Sequence, residues 1–290
     1  MGSRKPGDPI LAGEEMTDRK LIFLDVDNTL TVAGGYEPPE SALRAVRKAR
    51  ELGHKVFLCS GRNYGMLKPL MRFGFDGGIA SCGGYVYAGD DVLYDCPFTE
   101  EQKEKVISLL SERGVYLSIE GRDATFNDEG AKGYLEEDRG ELLHGMINAV
   151  WVDLGPHLMS EYDGGPIYKI VFSCSDVDQI GPAKAELGDE LVFIVHDFSE
   201  PGCLFGEIIN SKFDKGSAVR LVAEALGFDM ADTIGFGDSS IDVEMIETVG
   251  TGVCMGNGSQ YLKERSDMVC PSVEEDGIEW AFDRLGLTGQ

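Results

Sequence analysis

The chain has 290 residues, 42% of them hydrophobic and 9% aromatic, enough for a large core and too much for disorder. Its 51 acidic and 26 basic residues leave a formal net charge of −25, so nucleic acid and anionic membrane surfaces are poor partners for the molecule as a whole. No apolar run reaches about 18 residues, so no membrane span is expected, and seven scattered cysteines without a CxxC pair point to a reducing cytoplasm rather than a disulfide framework or structural zinc.

Residues 1–16 lack the apolar stretch of a secretion signal, and "MTDRK" at Met16 reads as a second start. This leader is expected to be a disordered extension. "LIFL" (21–24) reads as a strand buried on both faces, as in a parallel sheet. Asp25 and Asp27 follow where it should end. In extended backbone the i, i+2 spacing sends both carboxylates to one side, where they repel and are costly to dehydrate. "PPESALRAVRKARELG" has helical periodicity, opened by prolines and closed at Gly53. "HKVFLCSGR" is a second strand, "YGMLKPLMRFG" a helix and "FDGGIASCGG" a short third strand. This alternation predicts a parallel sheet covered on both faces.

From about residue 86 to 204 the rhythm changes. "YVYAGDDVLYD" carries a hairpin signal, and "TEEQKEKVISLLSERG" is a helix with Thr99 and Gln102 as a capping box. "VYLSIEG", "PIYKIVFSCS" and "ELVFIVHDF" read as strands, with helical stretches near 130–150 and 176–187. The segment is expected to form its own α+β layer. Beyond it the α/β pattern returns: "CLFGEII", "DTIGFGD" and "TGVCMGNG" as strands, "DKGSAVRLVAEALG", "SIDVEMIETVG" and "GIEWAFDRLG" as helices. The expected architecture is a doubly wound α/β core from 17–85 and 205–290, interrupted by an inserted α+β domain over 86–204.

Ligands bind where strand ends gather in an open parallel sheet. Four polar segments fall there: "DVDNT" (25–29), "SGR" (60–62), "DKG" (214–216) and "GDSSID" (237–242). Singly, each is most simply a cap or a turn. Together they bring acids, a hydroxyl and a lysine to one edge. Clustered carboxylates become tolerable around a hard cation such as Mg²⁺, which takes oxygen ligands alongside substrate phosphate. Asp25 and Asp238 are the natural pair of ligands, with Asp242 one helical turn on to orient them. Lys215 and Ser60 would supply donors to phosphate oxygens, which is most of what phosphoryl transfer needs.

This ordered set resembles the haloacid dehalogenase superfamily, whose first motif is DxDxT. The long insert and the late "CMGNG…LKERSDMV…EEDGI" resemble the Cof-like phosphatases with a type IIB cap. The resemblance implies Asp25 as the nucleophile that becomes phosphorylated and Asp27 as general acid/base, its peptide carbonyl also ligating Mg²⁺. Ser60, Gly61 and Lys215 would bind the phosphoryl group, and Asp25, Asp27, Asp238 and Asp242 would form the metal site. The implied function is a Mg²⁺-dependent phosphatase of small phosphorylated metabolites, sugar phosphates first, acting as a monomer or homodimer. A phosphomutase using the same intermediate and a low-turnover phosphometabolite-binding protein are the alternatives. Two positions depart from the family pattern. Asn28 stands where Gly is common and tolerates the same left-handed turn. Ile241 stands where an Asn usually touches phosphate or orients the nucleophile, and can do neither.

Overall fold

Residues 19–130, 157–195, 202 and 204–289 are described by the structure, a computed structural model. The expected leader and the helical stretch near 130–150 lie outside them. All four residues of β1 (Leu21–Leu24) are buried, because the strand has a parallel neighbour on each side, β2 (Lys55–Cys59) and β12 (Thr233–Gly237). Beyond β12 lie β13 (Thr251–Cys254) and β14 (Met268–Val269). Beyond β2 lie β3 (Gly77–Ala80), β4 (Tyr85–Ala88) and β5 (Asp91–Asp95), giving the order β14-β13-β12-β1-β2-β3-β4-β5.

Side chains alternate across this sheet. Ile22 and Leu24 pack with Ala42, Ala45, Val46 and Ala49 of helix α1 (Glu40–Glu51) and with Ile278, Ala281 and Phe282 of the last helix (Gly277–Arg284). Leu21 and Phe23 pack on the opposite face with Val219 and Val222 of the helix Lys215–Leu226 and with Met245 and Ile246 of the helix Val243–Thr248. The sheet is therefore covered on both faces, as the alternation predicted.

The second sheet has the order β10-β11-β9-β6-β7-β8, built from β6 (Tyr116–Gly121), β7 (Thr125–Asn127), β8 (His157–Leu158), β9 (Ile167–Cys174), β10 (Leu191–Val195) and β11 (Leu204–Asn210). Ile170, Phe172 and Cys174 pack with Val106 and Leu110 of the helix Glu100–Ser111, which carries the Thr99–Gln102 capping box, and with Ala183 and Leu187 of the helix Gly181–Leu187. The opposite face, bearing Lys169, meets residues 61–65 of the first sheet's unit: Gly65 N–H donates to Arg122 O at 2.9 Å. Only glycine fits at 65, where a Cβ would lie 2.5 Å from Asp123 O.

Three expectations need correction. The β4–β5 hairpin joins the first sheet, antiparallel to β3, and β11 joins the second, antiparallel to β9 and β10. The sheets therefore exchange the chain after β5 and after β11, not at 85/86 and 204/205. The expected helix over "YGMLKPLMRFG" is one α turn, Tyr64–Leu67, followed by a 3₁₀ segment, Lys68–Phe73, because Pro69 has no N–H for the α-helical ladder. Among the described residues no helix is long and apolar enough to cross a membrane.

Candidate active site

Register brings the polar segments together. Leu24 lies opposite both Phe236 and Leu58, so Asp25 leaves β1 between the ends of β12 and β2, with Asp238 on one side and Ser60 on the other. The Asp25 amide donates to Phe236 O at 3.0 Å, which keeps it in line with the sheet. Lys215 is the first residue of its helix, whose N-cap Asp214 accepts from Ser217 N–H at 2.6 Å. Its ammonium donates to Asp25 Oδ1 at 2.7 Å and to Asp242 Oδ1 at 2.5 Å. The other oxygen of Asp242 accepts from the amides of Asp238 (3.0 Å) and Ser239 (3.1 Å) and so fixes the turn carrying Asp238. One carboxylate oxygen from each of Asp25, Asp238 and Asp242 lies within 4.8 Å of the others.

Three carboxylates face one ammonium, and the electrostatics record the imbalance. Burial, then the charge of Asp242, pushes the Asp25 carboxyl well above its ordinary pKa against the pull of Lys215. The same causes raise Asp238 to about 7. Burial works against the charge of Lys215, but Asp242 and Asp25 outweigh it and hold the ammonium protonated. A compact, all-oxygen and under-compensated donor set fits a hard divalent cation.

Asp27 has different surroundings. Its side chain is 40% exposed and is gripped by the Arg62 guanidinium, with Nε to Oδ2 at 2.9 Å and Nη2 to Oδ1 at 2.7 Å, while Gly34 N–H donates at 2.6 Å. Burial would raise this carboxyl, but Arg62 outweighs it and holds the pKa below the ordinary value. Asn28, next in the chain, has the expected left-handed backbone (φ 57°), and its carbonyl accepts from Asn257 Nδ2 at 2.8 Å. Ser60 is buried, and its hydroxyl oxygen accepts from Arg62 N–H at 3.2 Å. The Gly61 carbonyl accepts from Lys169 Nζ at 2.8 Å.

Asp25, Lys215, Asp238 and Asp242 thus form one cluster, with Ser60 and Gly61 at the adjoining strand end and Asp27 turned toward Arg62. Ile241 is half-buried in a short 3₁₀ turn, Ser240–Asp242, and belongs to none of the packed cores of the described residues. Sequence reasoning passed over Arg62, Asn257 and Lys169. Arg62 had a signal, since a bidentate cation two residues after Ser60 suits either phosphate or a strand-end carboxylate. Lys169 had none, sitting in the apolar run "IYKIVF".

The haloacid dehalogenase-like hydrolase pattern matches residues 22–282. Over 274 residues the chain is 31% identical to "Putative phosphatase YkrA" of Bacillus subtilis, covering 93% of this chain and 99% of that one. It is 27% identical over 289 residues to the 5-amino-6-(5-phospho-D-ribitylamino)uracil phosphatase YwtE of the same organism, covering 93% and 99%. Its fold is similar to that of a haloacid dehalogenase subclass IIB sugar phosphatase, with a TM-score of 0.73 at 20% identity over 92% of this chain and 99% of that one. From residue 22 to residue 282, around the cluster of Asp25, Lys215, Asp238 and Asp242, this chain belongs to the haloacid dehalogenase-like hydrolases.

Proposed function

We propose that the protein is a Mg²⁺-dependent phosphatase of small phosphorylated metabolites, with sugar phosphates and related polyol phosphates as its first candidates. The observation that carries this reading is Lys215 bridging Asp25 and Asp242 with Asp238 in reach. Asp25, Asp238 and Asp242, with the Asp27 carbonyl, would hold Mg²⁺, which supplies charge neutralisation for the phosphoryl oxygens.

The chain's own residues divide the remaining work. Asp25 attacks phosphorus, the bond to the leaving oxygen breaks, and an aspartyl-phosphate forms. Asp27 protonates the leaving oxygen, then takes a proton from the water that hydrolyses the acyl phosphate. Ser60, Gly61 and Lys215 bind the phosphoryl group. In the free protein Arg62 lowers the Asp27 pKa and so favours its ionised, basic form; a loosened grip would make the acid role easier. A substrate phosphate is a competing ligand for the same guanidinium fork. The inserted unit acts as a cap that closes over the strand ends and excludes water.

The relative YwtE, named for a phosphoribityl substrate, supports a small polyol phosphate. The test is phosphate release from a panel of phosphorylated metabolites, with Mg²⁺ and with a chelator. Release from several panel members with Mg²⁺ alone is expected; transfer between positions of one substrate without release would make the protein a mutase instead.

A further inference from the structure

The turn after β2 is held through three consecutive carbonyls. Ser60 O accepts from Cys82 N–H at 3.0 Å, and Arg62 O accepts from Ser81 N–H at 2.8 Å. Both donors belong to the turn after β3, where Ser81, Cys82 and Gly83 all have positive φ (49°, 58° and 117°). Two non-glycine residues side by side in that region persist only when their surroundings hold them there. The middle carbonyl, Gly61 O, takes its hydrogen bond from the other sheet, from Lys169 Nζ at 2.8 Å.

Gly61 C=O and Arg62 N–H belong to one planar peptide unit. Lys169 holds its oxygen, and its N–H donates to Ser60 Oγ at 3.2 Å. Orienting this peptide therefore orients the Ser60 hydroxyl and sets the root of the Arg62 side chain that grips Asp27.

Lys169 is fixed in turn by Glu120, its register partner on β6, and by Glu207 on β11, each 3.2 Å from its ammonium. The Lys169 and Glu120 side chains are each only 6% exposed. A buried lysine between two glutamates most simply serves its own sheet. That role needs no contact with Gly61, so the bond to the first sheet is the feature it leaves unexplained.

We infer that Lys169 is a positioning residue: docking of the second sheet supplies the last hydrogen bond that fixes the 60–62 turn and readies Ser60 and Arg62 for phosphoryl transfer. The link to phosphoryl transfer rests on the phosphatase reading above; the link to the turn does not. The second sheet then contributes directly to assembling the site, besides covering it.

The test combines amide hydrogen exchange over residues 60–67 with steady-state kinetics on an aryl phosphate with Mg²⁺. Lys169→Met strands the buried Glu120 and the half-buried Glu207, so a second variant adds Glu120→Gln and Glu207→Gln to keep the sheet neutral and folded. In both, exchange over 60–67 should rise about tenfold, the worth of one hydrogen bond to a charged donor. Exchange in β1 should stay unchanged. The kcat should fall about tenfold with KM little altered, and Lys169→Arg should recover part of both effects. Unchanged exchange over 60–67 in the neutralised variant overturns the inference, as does faster exchange with unchanged kcat. If the wild-type protein releases no phosphate from any substrate, the phosphatase reading falls, and the exchange result alone decides the role of Lys169 in the turn.

Discussion

Lys215 and Asp25, 190 residues apart in the chain, meet in a 2.7 Å ion pair whose side chains are 1% and 5% exposed. Burial and the charge of Asp242 disfavour the ionised form of Asp25, so the Asp25→Asn variant removes an electrostatic cost together with the proposed nucleophile. Phosphate release should fall on the order of 10³-fold or more, while the metal-free melting temperature stays level or rises. Activity within tenfold of wild type would sink the covalent role. The opposite change, Lys215→Met, leaves buried carboxylates without their cation and should destabilise by roughly 3–5 kcal/mol, measurable by urea unfolding.

Metal binding should compete with protons at Asp238. Its pKa of about 7 arises from burial and then the charge of Asp242, so the carboxylate becomes available as pH rises through neutrality. The Mg²⁺ concentration needed for half-maximal thermal stabilisation should increase as pH falls from 8 to 6. In Asp238→Asn that pH dependence should shrink along with the Mg²⁺-induced shift itself. Equal Mg²⁺ stabilisation of wild type and variant would remove Asp238 from the proposed metal site.

Arg62→Gln releases Asp27 from the group that depresses its pKa. The Asp27 pKa then rises toward the ordinary carboxylate value, and the limb of the pH–rate profile that titrates with Asp27 moves to higher pH. The direction is the same whether Asp27 acts as acid or base in the slower half-reaction. The wild-type pair stabilises the fold above the unfolded carboxylate pKa of about 3.9. That contribution disappears as pH falls through the lower folded value, so acid unfolding of the variant should begin at higher pH.

Ile241→Asn tests the position that the family resemblance would fill with Asn. Ile241 is half-buried and outside the packed cores, so the substitution removes little apolar contact and should change the melting temperature only slightly. A restored amide at phosphate should raise kcat/KM about tenfold. Ser239 and Ser240, in the same turn, are the candidate compensating hydroxyls; Ser239 Oγ already lies 3.4 Å from Asp242 Oδ2, and Ser239→Ala should lower kcat/KM. Unchanged kinetics in both variants would show that this turn does not touch phosphate.

Much of this arrangement was legible in the residues. The run Leu21–Leu24 announced a central strand by its unbroken apolarity, and four short polar segments marked the strand ends that the fold gathers. Sheet membership was harder to read. The Tyr85–Asp95 hairpin pairs with β3, which immediately precedes it in the chain, but nothing in its local β signal says that it extends the first sheet rather than opening the second. The Leu204–Asn210 strand joins β9, far back in the chain, and that pairing leaves no local mark. The same limit hid Arg62 and Lys169. Each is defined by what it meets, Asp27 and Gly61, 35 and 108 residues away. The left-handed turn at Asn28, a property of one residue type, was read correctly.

The hairpin that extends the first sheet also determines how that sheet ends. Its last strand, Asp91–Asp95, is half-exposed and begins and ends with aspartate, while the opposite edge is a strand of two residues, Met268–Val269. Open strand edges invite pairing with another molecule's backbone, and charge and brevity both discourage it. On a chain of net charge −25, a second copy approaching the aspartate-bearing edge meets repulsion before any ladder can form. The strands whose ends bear the candidate site, β1, β2 and β12, lie in the middle of the sheet, away from either rim.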